Sequence, residues 1–284
     1  MRHGRAVDAQ TGVDPMCRLL AYAAPRPTSA AQVLGARQCE LFELMSQLHD
    51  DGWGTMWLQG PGAQVQRYRA SHAGHADRAL PAVLHDTRAT SRVVHLRLAT
   101  RSMSIDVRNS HPFLADEVGF AHNGAIVPTD VLRDMLGENE LASVAGSTDS
   151  ELYFALIRRG LRWGLSPVEA IRSAVHRIRG SYPFASLNAM LLTPRELLVV
   201  HANADAPVPY HDFAGVGELP LGHDEDYYRL AYQRSSDGTV LVTSTGLITS
   251  GWTALPQNTV LAVDLEDLAV RIEELSSQRF TMVA

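Results

Sequence analysis

An α+β layered fold is predicted by three features of the 284-residue chain. Strand-like runs gather toward its two ends, helical periodicities lie between them, and no Pro/Gly-rich linker or internal repeat marks a second domain. The predicted strands are 17–23, 54–58, 65–68, 92–98, 186–192, 197–201, 239–243 and 259–263. Helices are predicted over 31–48, 131–136, 149–163 and 167–178, where apolar residues return at three- and four-residue steps. A hydrophobic content of 45% is ample for a buried core.

Charge and composition narrow the function. The net charge is −6 and the arginines are dispersed, which argues against a nucleic-acid partner. No stretch approaches the ~18 uninterrupted apolar residues of a membrane span. The twelve histidines include His95, His111 and His122, but none has the spacing of a metal-ligand set, so no metal is expected. A structural or substrate-side role is expected for them, with His111 on the substrate side. Gly215-Val216-Gly217 lacks the third glycine and the lysine of a phosphate loop and reads as a turn, and Asp224-Glu225-Asp226 reads as a solvated acidic turn.

Cys17, directly after Met16, is the candidate nucleophile. Taken alone it reads as a small buried strand residue. As an amino-terminal residue it would hold a thiol and a free α-amine on one carbon, and an α-amine with a pKa of about 7.7–8.0 can take the thiol's proton near neutral pH. Three polar clusters interrupt apolar runs downstream. Arg97, ending the run Arg92-Val93-Val94-His95-Leu96-Arg97, reads as a clamp for a carboxylate, which its planar fork fits two bonds at a time. Asn123-Gly124 can aim a side-chain amide and an unobstructed backbone N–H at one point, as an oxyanion hole requires. Asp149, in Ser147-Thr148-Asp149-Ser150-Glu151, either caps the helix that follows or binds a ligand ammonium. Together these groups describe a site for an α-amino acid whose side-chain carbonyl is attacked, a description that glutamine fits.

The chain resembles the class II glutamine amidotransferases, a family of N-terminal-nucleophile hydrolases. The resemblance rests on Met16-Cys17, His49-Asp50-Asp51-Gly52-Trp53-Gly54, the His-x-Arg-x-Ala-Thr segment at 95–100, Asn109-Ser110-His111-Pro112-Phe113, His122-Asn123-Gly124 and Thr148-Asp149-Ser150-Glu151, and extends toward the end of the chain. It implies a four-layer αββα sandwich over 17–284. It also implies Cys17 as nucleophile with its α-amine as base, Asn123 and Gly124 as oxyanion donors, Arg97 with Thr100 on the substrate α-carboxylate, and Asp149 on the α-ammonium. Trp53, inside a motif near the nucleophile, is expected to shape the pocket wall.

Residues 1–16 depart from the family pattern. They are charged, with no apolar core of a secretory signal, and read either as an upstream start or as a short propeptide absent from the mature enzyme. A thiolate at Cys17 is incompatible with a Cys17–Cys39 disulfide, so a reducing cytoplasm is expected. No metal or organic cofactor is expected. The implied substrates are glutamine or a γ-glutamyl compound, as in stand-alone relatives such as the γ-glutamyl hydrolase of ergothioneine biosynthesis. Ammonia then either passes to a separate synthase or is simply released by hydrolysis. The reading of another class is a catalytically inactive glutamine-binding module.

Overall fold

A computed structural model describes residues 17–98, 105–208, 210 and 226–276. The strands, in chain order, are β1 (Arg18–Thr28), β2 (Trp53–Leu58), β3 (Gln66–Ala70), β4 (Ala89–Leu96), β5 (Phe113–Ala115), β6 (Val118–Asn123), β7 (Asn188–Leu192), β8 (Glu196–His201), β9 (Leu230–Arg234), β10 (Val240–Ser244), β11 (Thr253–Ala254), β12 (Thr259–Asp264) and β13 (Val270–Glu274). The helices are α1 (Ala30–Leu34), α2 (Ala36–Met45), α3 (Ala79–Pro81), α4 (Thr129–Asp134), α5 (Glu138–Leu141), α6 (Asp149–Arg162) and α7 (Pro167–Arg179).

Two antiparallel sheets carry the fold. One runs β11-β9-β10-β1-β4-β2-β3 and the other β13-β12-β8-β7-β6-β5. Successive side chains on a strand point to opposite faces, so each sheet feeds two cores. On β1, Leu19, Ala21 and Ala23 pack between the sheets with Met56, Val93, Ala121, Met190 and Val199. Leu20, Tyr22 and Ala24 point the other way, into a core with Phe42 and Met45 of α2. On the second sheet, Phe120, Leu191 and Val200 pack outward against α6 and α7 through Tyr153, Leu156, Ile171 and Val175. The order of layers is therefore helix, sheet, sheet, helix, the αββα arrangement. Each fully buried Leu or Met in these layers contributes about 1.5–3 kcal/mol of transfer free energy.

Two helices have well-defined starts. Thr148 caps α6, its hydroxyl accepting from Glu151 N–H at 3.2 Å. Ser166 and Glu169 form a capping box on α7, with Pro167 in its first turn. The single helix expected over 31–48 is instead α1 and α2, ending at Met45. They are separated by Gly35 at φ 89°, where the absence of a Cβ lets the chain turn out of the helix. The strands β5, β6, β9, β11 and β13 were not among those expected. In β6, Gly119 interrupts the apolar run because the strand passes close to the facing sheet, where a Cβ would meet Met56 Sδ at 2.3 Å.

The segment leading into β5 lies close over Gly54 of β2, where a Cβ would stand 2.2 Å from His111 O, 2.7 Å from Tyr68 O of the neighbouring β3 and 2.9 Å from Pro112 Cδ. Two of those atoms are backbone and cannot swing aside. Gly54→Ala should lower unfolding free energy by roughly 1–3 kcal/mol, the usual cost of overpacking, read as a lower denaturation midpoint. A midpoint equal to that of the unsubstituted protein would show that the His111-Pro112 segment can move off β2 without loss.

Candidate active site

Three strand ends meet at one edge of the sandwich. Cys17 immediately precedes β1, a central strand held between β10 and β4. The antiparallel register of β1 on β4 pairs Arg18 with Leu96, which brings Arg97 beside Cys17. From the facing sheet β6 ends at Asn123, and alternation along β6 turns Asn123 toward Cys17 while His122 points into the helical layer. The Cys17 N–H donates to Asn123 Oδ1 at 2.9 Å.

That bond fixes the amide. With Oδ1 committed to Cys17, Asn123 Nδ2 is the free end, and this buried donor has no hydrogen-bond partner among the described residues. Gly124 follows, and its missing side chain is required: a Cβ would lie 2.0 Å from the Ser186 carbonyl oxygen and 2.6 Å from His122 Nε2. Ser186 completes the turn by donating its hydroxyl to Asn123 O at 2.9 Å.

Arg97 is 3% exposed. Its backbone is locked to the His49–Gly54 loop, with Arg97 N–H donating to Gly52 O at 2.9 Å and Asp51 N–H donating to Arg97 O at 3.1 Å. Nη1 donates to Asp51 O at 3.2 Å, whereas Nη2 is buried without a partner among the described residues. A guanidinium so placed can still give a charge-assisted bond to an anion. Asp149 opens α6, but the cap is Thr148. Asp149 Oδ2 instead accepts from the Ile126 N–H at 2.7 Å, pinning the segment after Gly124. Its charge also reaches Cys17.

Other expected residues lie elsewhere. Trp53 pairs with Leu96 in the sheet, packs in the core under α1 and α2, and donates Nε1–H to Asp77 Oδ2 at 2.9 Å. It therefore faces away from the layer that holds Cys17, and lines that core rather than a pocket wall. His111 is buried between the sheets, its ring 4.2 Å from His95 and 4.8 Å edge-on to Phe113, with neither nitrogen partnered among the described residues. Thr100 lies outside the described residues. Sequence reasoning assigned no part to Ser150 and Ser186, which serve the site through His122, or to the Leu98 carbonyl, to which the Cys17 thiol points at 3.8 Å. Ser150 lay within a quoted motif; Ser186 carried no local signal. Among the described residues no three His, Cys, Asp or Glu side chains could hold a metal ion, and no helix is long and apolar enough to cross a membrane.

Burial dominates the electrostatics. It pushes the Cys17 thiol up to about 11, against the lowering pull of the Arg97 and Arg18 guanidinium groups. It holds the imidazoles of His95 and His111 below their ordinary range, helped by neighbouring positive charge. Burial thus favours the neutral thiol near pH 7 over the thiolate. Because the thiolate is the reactive form, alkylation of Cys17 by iodoacetamide, followed by peptide mass, should climb from pH 7 to pH 10 without levelling, as about 11 lies beyond that window. A plateau below pH 9 would mean that the cations outweigh burial.

A family model described as class-II glutamine amidotransferases matches residues 16–278. Among curated proteins, the glutamine–fructose-6-phosphate aminotransferase (isomerizing) of Caulobacter vibrioides is 32% identical over 191 residues, 65% of this chain and 29% of that protein. The protein of the same name from Mesorhizobium japonicum is 34% identical over 135 residues, 48% of this chain and 21% of its own. The chain thus spans less than a third of the length of these relatives. Among solved structures, a glutamine aminotransferase class-II domain protein from Silicibacter pomeroyi superposes with TM-score 0.61 at 21% identity, covering 92% of this chain and all (100%) of that one. Glutamine phosphoribosylpyrophosphate amidotransferase from B. subtilis gives 0.59 at 16%, covering 92% of this chain and 49% of that one. These two likenesses bear on the fold alone. The fold and the family match agree over nearly the whole chain: it belongs to the class II glutamine amidotransferases.

Proposed function

We propose that this protein hydrolyses the γ-carboxamide of glutamine, or of a γ-glutamyl amide, through Cys17, releasing glutamate and ammonia or an amine. The observation that carries this reading is the arrangement around one thiol. The Cys17 nitrogen is held by Asn123 Oδ1, while two buried donors, Asn123 Nδ2 and Arg97 Nη2, are without partners among the described residues. Buried polar groups are rarely left so, and a bound α-amino acid would offer both donors an acceptor. A reading as an inactive glutamine-binding module leaves the neighbouring thiol without a purpose.

In this mechanism Arg97 takes the α-carboxylate and Asp149 the α-ammonium, which sets the γ-carbonyl against Cys17 in a near-attack position. The Cys17 nitrogen, freed as an α-amine, accepts the thiol proton. The sulfur forms a bond to the carbonyl carbon, and charge on the oxygen is met by Asn123 Nδ2 and the Gly124 N–H. The amine then gives its proton to the leaving nitrogen as the C–N bond breaks. Water displaces the sulfur from the γ-glutamyl thioester and glutamate leaves. Coupling to an ammonia-consuming synthase is suggested by the relatives' names alone, whereas hydrolysis is what these residues support.

A diazo-ketone analogue of glutamine should label Cys17 and no other residue. Cys17→Ala should abolish glutamine hydrolysis while Cys39→Ala keeps most of it; the reverse pattern would overturn the assignment. Asn123→Ala should lower kcat by roughly a hundred- to a thousandfold with a smaller change in KM. Removing Arg97 or Asp149 should lower kcat/KM by on the order of a hundredfold, through loss of a charge-assisted bond.

The state of the Cys17 nitrogen gives a separate prediction. An amide nitrogen has no lone pair free to take a proton, so protein beginning at Cys17 should be active and protein that retains residues 1–16 silent. Intact mass paired with a glutaminase assay distinguishes the two. Full activity from a homogeneous uncleaved chain would remove the α-amine from the mechanism.

A further inference from the structure

His122 lies within a catalytic motif, yet its ring points away from Cys17 and has no part in the chemistry above. The imidazole is 1% exposed. Nε2 sits 2.9 Å from the Ser186 carbonyl oxygen and Nδ1 sits 2.9 Å from Ser150 Oγ. These two partners belong to the two halves of the site. The Ser186 carbonyl is the atom against which Gly124 is seated, and the Ser186 hydroxyl holds Asn123 O. Ser150 adjoins Asp149, with its hydroxyl 3.4 Å from Asp149 Oδ1.

Proton counting fixes the state of this network. A carbonyl only accepts, so Nε2 must carry the hydrogen that faces Ser186. In a neutral ring Nδ1 is then bare and accepts the Ser150 O–H. Serine has one hydroxyl hydrogen, so while it is given to His122 it is withheld from Asp149 Oδ1. Asp149 Oδ2 is already engaged by Ile126 N–H, which leaves Oδ1 as the oxygen for a ligand. The groups facing the ring are Asp149 and Tyr153 of α6, with His95 of β4 at the His122 carbonyl and His111 beyond it. Burial holds the imidazole below its ordinary pKa, and Asp149 opposes that shift only in part.

We infer that His122 is a positioning residue which, as the neutral Nε2–H tautomer, keeps Asp149 Oδ1 open to the substrate ammonium and seats Gly124 against Ser186. The inference rests on the glutamine-hydrolysis reading for its consequence, but the tautomer is a property of the protein alone. One side chain thereby sets both the ammonium acceptor and the oxyanion donors.

Nitrogen-15 shifts of the His122 ring in the unsubstituted protein should show a protonated Nε2 and a bare Nδ1; the opposite tautomer would overturn the inference. His122→Leu returns the Ser150 hydrogen to Asp149 and unseats the turn, so KM for glutamine should rise about tenfold and kcat should fall. Adding Ser150→Ala removes the competing donor, and KM should return toward the starting value while kcat stays low. His122→Gln, whose amide can donate to Ser186 and accept from Ser150, should stay closer to the unsubstituted enzyme than His122→Leu. A double variant with KM no lower than that of His122→Leu would sink the idea, since a merely structural role predicts no such rescue. If the unsubstituted protein fails to hydrolyse glutamine, the proposed function falls, and the ring shifts still decide the inference.

Discussion

The hydrogen bond from Cys17 N–H to Asn123 Oδ1 joins the two sheets at the site. It works because both residues sit at strand ends whose alternation turns them into the layer between the sheets. A slip of one residue on β1 would send Cys17 into the helical layer with Leu20 and Tyr22 and bring Arg18 inward. The register is set by the apolar sets themselves: Leu19, Ala21 and Ala23 belong to the inter-sheet core and cannot exchange faces with Tyr22 without loss of packing. The geometry at the thiol is thus held by the whole sandwich rather than by the few residues around it.

The same burial gives the site its energetic character. Desolvation raises the thiol and lowers the nearby imidazoles, so the resting pocket holds neutral groups where neutral groups are possible. The charges that remain, on Arg97, Arg18 and Asp149, surround the thiol. In a medium of low polarity they act more strongly on a neighbouring charge than they would in water. Arg18 is accommodated by lying over the Tyr227 ring at 3.9 Å, with Nη1 donating to Tyr227 O at 3.4 Å. The site therefore combines a thiol that burial holds in its protonated form with charges of both signs close to it.

Behind this first layer, His122, Ser150 and Ser186 form a polar brace in the helical layer. It connects α6, which carries Asp149, to the turn that carries Asn123 and Gly124. Fully satisfied buried networks of this kind confer rigidity, because moving any member leaves another unsatisfied in an apolar surrounding. The α6 cap at Thr148 belongs to the same arrangement: the helix start is satisfied by threonine, which leaves the Asp149 carboxylate to accept from Ile126 N–H.

By itself the sequence determined the α+β class, the family and the polar residues that interrupt apolar runs, Cys17, Arg97, Asn123-Gly124 and Asp149, because a polar group inside a hydrophobic pattern is visible without coordinates. Tertiary structure decided which of them share a face. Trp53 stands next to Gly54 in its motif, yet it begins β2 and pairs with Leu96, so period-two alternation sends it to the opposite core. The break at Gly35 was hidden because apolar spacing continues across it, while β6 was hidden because Gly119 and the His122-Asn123 pair interrupt its pattern for reasons that lie in the facing layers. The carbonyls of Ser186 and Leu98 were illegible on principle, since every residue has one and only the path of the chain aims it at a site.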